Sequence, residues 1–515
     1  MDGIFGALQI GFGEVFRLQP MLIPWLNVTL PIPFNIFMCL VGALLGTLIG
    51  VLPGIGPVAT IAMLLPITFN LNPTGALIML AGIYYGAQYG GSTTAILVNI
   101  PGEASSVVTT IDGHQMALQG RAGPALGIAA IGSFFAGTIA TLLIVVAAPP
   151  LAAVALQFGP AEYFSLMVCG LVAAVVLAHG SLVKAIAMVV LGLLLGLVGT
   201  DVNSGARRFD FGLAGLIDGV EFVALSMAIY GIAEVAYNLE KKQETSVVSG
   251  AVGRVWPSLV DLKYCAGSIL RGTGLGAVLG VLPGGGALLA SFAAYTLEKN
   301  VAKPPRQFGH GDIRGVAAPE AANNAGAQTS FIPMLTLGIP GNPTMAMMIG
   351  ALMVHGIAPG PRVMTDRPGL FWGLIASMWL GNLMLVVLNL PMVGVWVRLL
   401  RVPYRLLFPA IIVFCCIGVY IINSKPFDAF VMAFFAVFGY VALKLDCEPA
   451  PLILGFVLGP MMEENLRRAL LISRGDPMVF LQEPISLAFL LVAAGLLLVL
   501  AAPAIRVRRE EALKE

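Results

Sequence analysis

Glu320, Asn324 and Gln328 stand four residues apart in a small-residue, otherwise apolar stretch, APEAANNAGAQTS. On a helix they share one face. An acid inside hydrocarbon costs about 2.5–3.5 kcal/mol on insertion scales, so it usually faces protein or water. Neighbouring amides and hydroxyls can bond a polar solute, and Asn323 and Thr329 extend the set. An earlier stretch, YYGAQYGGSTT, offers Ser92, Thr93 and Thr94, with Asn99 just beyond. Aligning the two at an offset of 235 residues brings Gly91 to Gly326 and Thr94 to Thr329. Tyr85, Tyr89 and Thr93 then stand opposite Glu320, Asn324 and Gln328. The same residue types also glue membrane helices together, and the stripe alone does not separate the two readings.

The second constellation is made of helix breakers. GVLPGIGP begins at Gly50 and GVLPGGGA at Gly280, 230 residues on. Ile100-Pro101-Gly102 recurs as Ile339-Pro340-Gly341, 239 residues on, with Asn342 following. Pro removes an amide donor and Gly weakens a helix interior. In hydrocarbon the freed backbone groups must find partners or line a cavity. Any one break reads as an ordinary kink. Matched breaks in two similar halves are the mark of a secondary transporter whose site lies between the halves. Pro53, Gly54, Gly56, Pro283, Gly284 and Gly286 are therefore candidate site residues. Gly54 and Gly284 are the positions where a methyl group is expected to hurt most. Gly192, in an unbroken apolar run, is expected to tolerate one.

The elements that must position these residues are membrane helices. Of 515 residues, 58% are hydrophobic and 11% charged, against roughly 25% charged in soluble domains. Residues 34–62, 123–161, 371–397 and 485–505 carry no charge, and about 20 apolar residues suffice for one crossing. The chain has length for roughly a dozen full or partial crossings. A net charge of +1 leaves no nucleic-acid footprint. The six cysteines form no CxxC pair and sit in or beside apolar segments. The expected fold is an all-α polytopic membrane protein of two homologous halves, with Pro/Gly-interrupted or re-entrant helices. Residues 1–30 read as an interfacial lead-in, 31–239 as half one, 240–263 as a polar linker, 264–505 as half two and 506–515 as a charged tail. Basic residues place the linker, the 298–314 loop and the tail in the cytoplasm. That needs an even number of crossings in half two, whereas inverted repeats need an odd number. Inverted repeats are the working expectation.

Few basic side chains could hold an anion: Lys184 and Arg271 are the only ones near apolar segments. Helix N-termini and amides freed at the breaks could do so instead. A coupling Na+ would use oxygens at the same breaks, and a coupling proton would use Glu320. Glu103, Asp112 and Glu162 lie at segment ends and read as caps. His114, His179, His310 and His355 show no metal spacing, and no GxxxxGK[ST] loop is present. Neither an enzyme nor an ATP-driven pump is expected, and no cofactor beyond a coupling Na+ or H+. A channel or a structural membrane subunit is the alternative, and a membrane-embedded enzyme a weaker one.

These segments resemble one family. GVLPGIGP, LAGIYYGAQYGGSTTAILVNIPGEASSVVTTIDG and GRAGPALGIAAIGSF in half one are similar to the large membrane subunit of the tripartite tricarboxylate transporters, the TctA family. GVLPGGGA, APEAANNAGAQTSFIPMLTLGIPG and GIAPGP in half two agree. The resemblance spans nearly the whole chain. It implies a multi-pass permease of the bacterial inner membrane. Its partners would be a small membrane subunit (TctB-like), a periplasmic solute-binding protein (TctC-like) and a tricarboxylate or dicarboxylate substrate taken up with an ion gradient.

Overall fold

A computed structural model describes residues 2–23, 28–52, 56–178, 181–201, 204–240, 253–282, 286–399, 404–423 and 425–501. Helix α1 (Asp2–Val15) is followed by a hairpin of β1 (Leu18–Ile23) and β2 (Val28–Pro33), paired antiparallel from Leu18–Pro33 to Ile23–Val28. Next come α2 (Phe34–Val51), α3 (Pro57–Thr68), α4 (Pro73–Val98), α5 (Val107–Leu118), α6 (Ala122–Ala155), α7 (Pro160–Leu177) and α8 (Leu182–Gly196). A short ladder, β3 (Gly199–Thr200) on β4 (Arg207–Arg208), leads to α9 (Phe222–Ser226), a π-helical stretch (Met227–Ala233) and α10 (Glu234–Glu240).

The second part runs α11 (Leu259–Val281), α12 (Gly286–Val301), α13 (Arg314–Thr329), α14 (Phe331–Leu337), α15 (Pro343–Val354), α16 (Arg362–Asp366), α17 (Pro368–Asn389) and α18 (Val393–Leu399). It closes with α19 (Tyr404–Asn423), α20 (Pro426–Lys444), α21 (Pro449–Ile472), α22 (Val479–Gln482) and α23 (Pro484–Ala501). The protein is an all-α polytopic membrane protein. Among the described residues, five helices are long and apolar enough to cross a membrane, and further shorter apolar helices accompany them. Proline opens α3, α4, α7, α15, α17, α20 and α21, where its missing N–H costs no intrahelical bond.

Glycine rows bring backbones together. Gly42, Gly46 and Gly50 of α2 lie against the main chain of Met79, Ile83 and Ala87 in α4. Gly272, Gly276 and Gly280 of α11 lie against Ala318, Ala322 and Gly326 in α13 in the same way. A Cβ at any of these six positions would collide with backbone. The first helices of the two sets are 230 residues apart and their partners 239 apart. The 235-residue alignment of the polar stretches is therefore corrected to 239. Glu320, Asn324 and Gln328 correspond to Ala81, Tyr85 and Tyr89. The nine extra residues lie between the starts of α12 and α13, in the basic stretch.

The packing is also exchanged between the two parts. α6 lies against α11 and α13, and α17 lies against α2 and α4. One feature is unequal. α12 packs on α13 and also back along α11, whereas α3 leans on α4, α15, α19 and the π stretch and little on α2. Gly192, expected to tolerate a methyl, does not. It faces the Leu452 carbonyl of α21 so closely that a methyl would collide with it. Asp112 ties the basic loop down: it accepts N–H bonds from Gly309 (2.8 Å), Gly311 (2.9 Å) and Asp312 (3.0 Å) and the Tyr295 hydroxyl (2.9 Å). Glu162 caps α7 through the Gly159 N–H at 2.9 Å.

Candidate functional site

α2 and α11 end alike. The Leu52 N–H bonds the Ile49 carbonyl and the Leu282 N–H bonds the Leu279 carbonyl, and both leucines are extended. Pro53, Gly54, Pro283 and Gly284 lie outside the described residues. Their flanks, Gly56 and Gly286, are described, and both line one cavity of about 530 Å³. Gly286 has φ +46° and faces the Asn342 amide, so glycine is required there. At Gly56 a Cβ would meet open space.

The cavity is built on helix beginnings. Its walls include Gly56–Val58 at the start of α3, Gly286–Leu288 at the start of α12, Asn342–Thr344 at the start of α15 and Glu448–Pro451 at the start of α21. Both IPG loops reach it, through residues 100–102 and through Asn342 directly after the second. Each helix start carries a partial positive charge, although Pro57, Pro343, Pro449 and Pro451 have no N–H to donate. Three carboxylates, Glu103, Glu234 and Glu448, also line the cavity, and among the described residues no Lys, Arg or His does. Arg271 is committed elsewhere, bidentate to Glu298 at 2.7 and 2.8 Å, and Lys184 donates to the Leu445 carbonyl at 2.6 Å.

Asn342 caps α15, accepting from the Met345 N–H at 3.0 Å, and its Nδ2 donates to the Tyr84 hydroxyl at 3.3 Å. Its counterpart 239 residues earlier is Glu103. Glu103 Oε1 accepts from Asn323 Nδ2 at 3.3 Å and from Ser105 Oγ. Ser105 Oγ also lies 2.9 Å from Gln88 Oε1 and 2.8 Å from Asn323 Oδ1. One hydroxyl hydrogen faces three acceptors, which leaves room for a proton or a cation at Glu103.

The polar stripe lies behind this wall. Glu320 is fully buried, accepting from Ser92 Oγ at 2.5 Å and from Thr109 Oγ1, and among the described residues no basic group pairs with it. Asn324 donates to Ser133 Oγ at 2.7 Å and to the Glu320 carbonyl at 3.1 Å. The Gln328 amide is buried without a partner. Thr94 Oγ1 caps the broken end of α2, reaching the Gly50 and Val51 carbonyls at 3.2 and 3.1 Å. Thr93 and Thr329 bond back to the Tyr89 and Ala325 carbonyls of their own helices. Asn99 is exposed in a left-handed conformation, φ 58°, ending α4, and Gly338 ends α14 similarly at φ 73°.

Of the residues singled out in the sequence, the large cavity gathers Gly56, Gly286 and Asn342. Asn323 joins it through Ser105 and Glu103. Ser92, Thr93, Thr94, Glu320, Asn324, Gln328 and Thr329 stand behind it, and Asn99 outside. Glu103, read as a cap, is in the wall. Its signal was its place directly after the first IPG, matching Asn342 after the second. Tyr84, Gln88, Ser105, Tyr230, Glu234 and Glu448 were not foreseen. Tyr230 sits in the π stretch and Glu234 directly after it, a distortion frequent at functional sites.

Residues 36–454 match the tripartite tricarboxylate transporter TctA family. The chain belongs to the TctA family. It is 58% identical over 483 residues to an uncharacterized 52.8 kDa protein of the TAR-I ttuC' 3' region of Agrobacterium vitis, covering 94% of this chain and 96% of that one. It is also 58% identical over 242 residues to an uncharacterized protein of the TAR-II ttuC' 3' region of the same organism, 47% of this chain and 99% of that one. No solved structure matches. As a TctA protein, the chain is the large membrane subunit of a tripartite tricarboxylate transporter.

Proposed function

We propose that this TctA subunit is a bacterial inner-membrane permease. It imports a small tricarboxylate or dicarboxylate, delivered by a soluble binding protein, beside a small membrane subunit, driven by a Na+ or H+ gradient. The cavity between the breaks carries this reading. Four helix N-termini converge on it with no basic side chain among the described lining residues. Each favourable helix end is worth about 0.3–1 kcal/mol to an anion, and up to about 2 where partly buried. That suits a multivalent carboxylate. The two sets of matched glycine contacts support related halves folded around this cavity.

The three lining carboxylates point to the drive. An anion entering beside Glu103, Glu234 and Glu448 is repelled unless those acids are neutralised. A co-transported proton or Na+ supplies the neutralising charge, so anion and cation enter together. Proteoliposome uptake of a labelled carboxylate panel tests this, with and without the cognate binding protein. The carrier concentrates label only under an ion gradient. A channel merely equilibrates it, an enzyme changes it chemically, and either result overturns the reading.

A further inference from the structure

α4 also borders a second, small cavity of about 10 Å³, room for a single water-sized particle. α6 supplies Leu126, Ala129, Ala130 and Ser133, α4 supplies Tyr89, Ser92 and Thr93, and α17 supplies Asn389. Five of the lining residues carry a side-chain oxygen, and the hydrogens on four of these groups are committed elsewhere. Ser92 Oγ donates to Glu320 or to the Gln88 carbonyl. Thr93 Oγ1 points to the Tyr89 carbonyl, and Ser133 Oγ to the Glu320 carbonyl at 3.5 Å. Asn389 Nδ2 donates to the Leu385 carbonyl at 2.9 Å. Asn389 Oδ1 and the Tyr89 hydroxyl, both buried, have no partner at all.

Apart from the Tyr89 hydroxyl hydrogen, the chamber presents lone pairs rather than donors, so it suits a cation better than an anion. Its neutral oxygens would hold the ion, and the Glu320 carboxylate, one hydrogen bond away through Ser92, balances its charge. A divalent ion takes more carboxylate oxygen than this. We infer that this cavity is a Na+ site, formed by Tyr89, Ser92, Thr93, Ser133 and Asn389 and distinct from the large cavity. The inference rests on the cation-coupled reading above and adds a Na+ away from the Pro-Gly breaks to the proton or cation that neutralises the acids of the large cavity. Because α4 walls both cavities, ion occupancy is felt at the carboxylate site.

The test is binding of radioactive Na+ to the purified full-length chain, with melting temperature followed against Na+, K+ and choline at constant ionic strength. Na+ alone should raise the melting temperature saturably. Asn389→Leu and the near-isosteric Thr93→Val should each weaken apparent Na+ affinity at least tenfold. Thr93→Val carries the test if Asn389→Leu does not fold. No Na+-specific binding by the native chain overturns the site, which is then a water chamber only. Wild-type Na+ affinity in Thr93→Val also overturns it. Carboxylate uptake measured on the same protein, supplied with its soluble binding protein and small membrane subunit, separates the two claims. Uptake without Na+ binding sinks the site and leaves the carrier reading. Na+ binding lost in the variants, with no carboxylate uptake under any gradient, supports the site and sinks the carrier reading.

Discussion

At the level of single residues, hydrogen bonding divides the polar stripe by role. Asn324 has two partners for its amide nitrogen, Ser133 at 2.7 Å and the Glu320 carbonyl at 3.1 Å. Gln328 has none. Asn324→Leu should therefore lower stability by about 1–3 kcal/mol, leaving Ser133 short of a donor. Gln328→Leu should be neutral or stabilising, since a buried unpaired amide is being removed. Thermal melts in detergent check both, and equal losses would show that Gln328 is bonded after all. Glu103→Gln removes the charge that a co-transported cation would balance. Exchange of carboxylate across the membrane without a gradient should persist, while gradient-driven accumulation falls at least tenfold. Undiminished accumulation would take coupling away from Glu103. Gly56→Ala projects a methyl into the large cavity and meets nothing else. The fold should be kept, and apparent carboxylate affinity should fall about tenfold, some 1.4 kcal/mol. Unchanged uptake kinetics would place the ligand away from α3.

At the level of elements, the glycine rows decide which helices can touch. Gly46→Ala and Gly276→Ala each push a Cβ into the backbone of Ile83 or Ala322. Overpacking of this kind costs about 1–3 kcal/mol, and both variants should give less folded, detergent-stable protein. Gly274→Ala, on the same helix as Gly276 with nothing nearby, is the matched control and should behave as wild type. Size-exclusion profiles of the three report the result. Equal profiles would mean that α2–α4 and α11–α13 separate readily. The contrast with Gly192 explains a limit of sequence reading. An apolar run shows that a helix is in the membrane, but not which glycine meets another backbone; Gly192 meets Leu452 from a distant segment. The alignment of the polar stretches failed for a related reason. The basic stretch between the starts of α12 and α13 carries nine extra residues, so local residue likeness misplaced the register by one helical turn.

At the level of the whole molecule, the helical membrane class followed from composition and the uncharged runs. The IPG motif led to Asn342 because a break must cap the helix that follows it. Glu234 and Glu448 gave no such signal. They reach the cavity only because α10 and the start of α21, far apart in sequence, both line it. The dependence of transport on partners belongs at this scale too. Uptake by this chain alone should be negligible at micromolar carboxylate and restored by the soluble binding protein; robust uptake without that protein would contradict the expectation. The most direct measurement is a structure of the protein with the carboxylate that supports uptake bound. The account expects ligand density among Gly56, Gly286 and Asn342, against the starts of α3, α12 and α15. Density around Glu320 behind α4, or on a lipid-facing surface with that cavity empty, would contradict it.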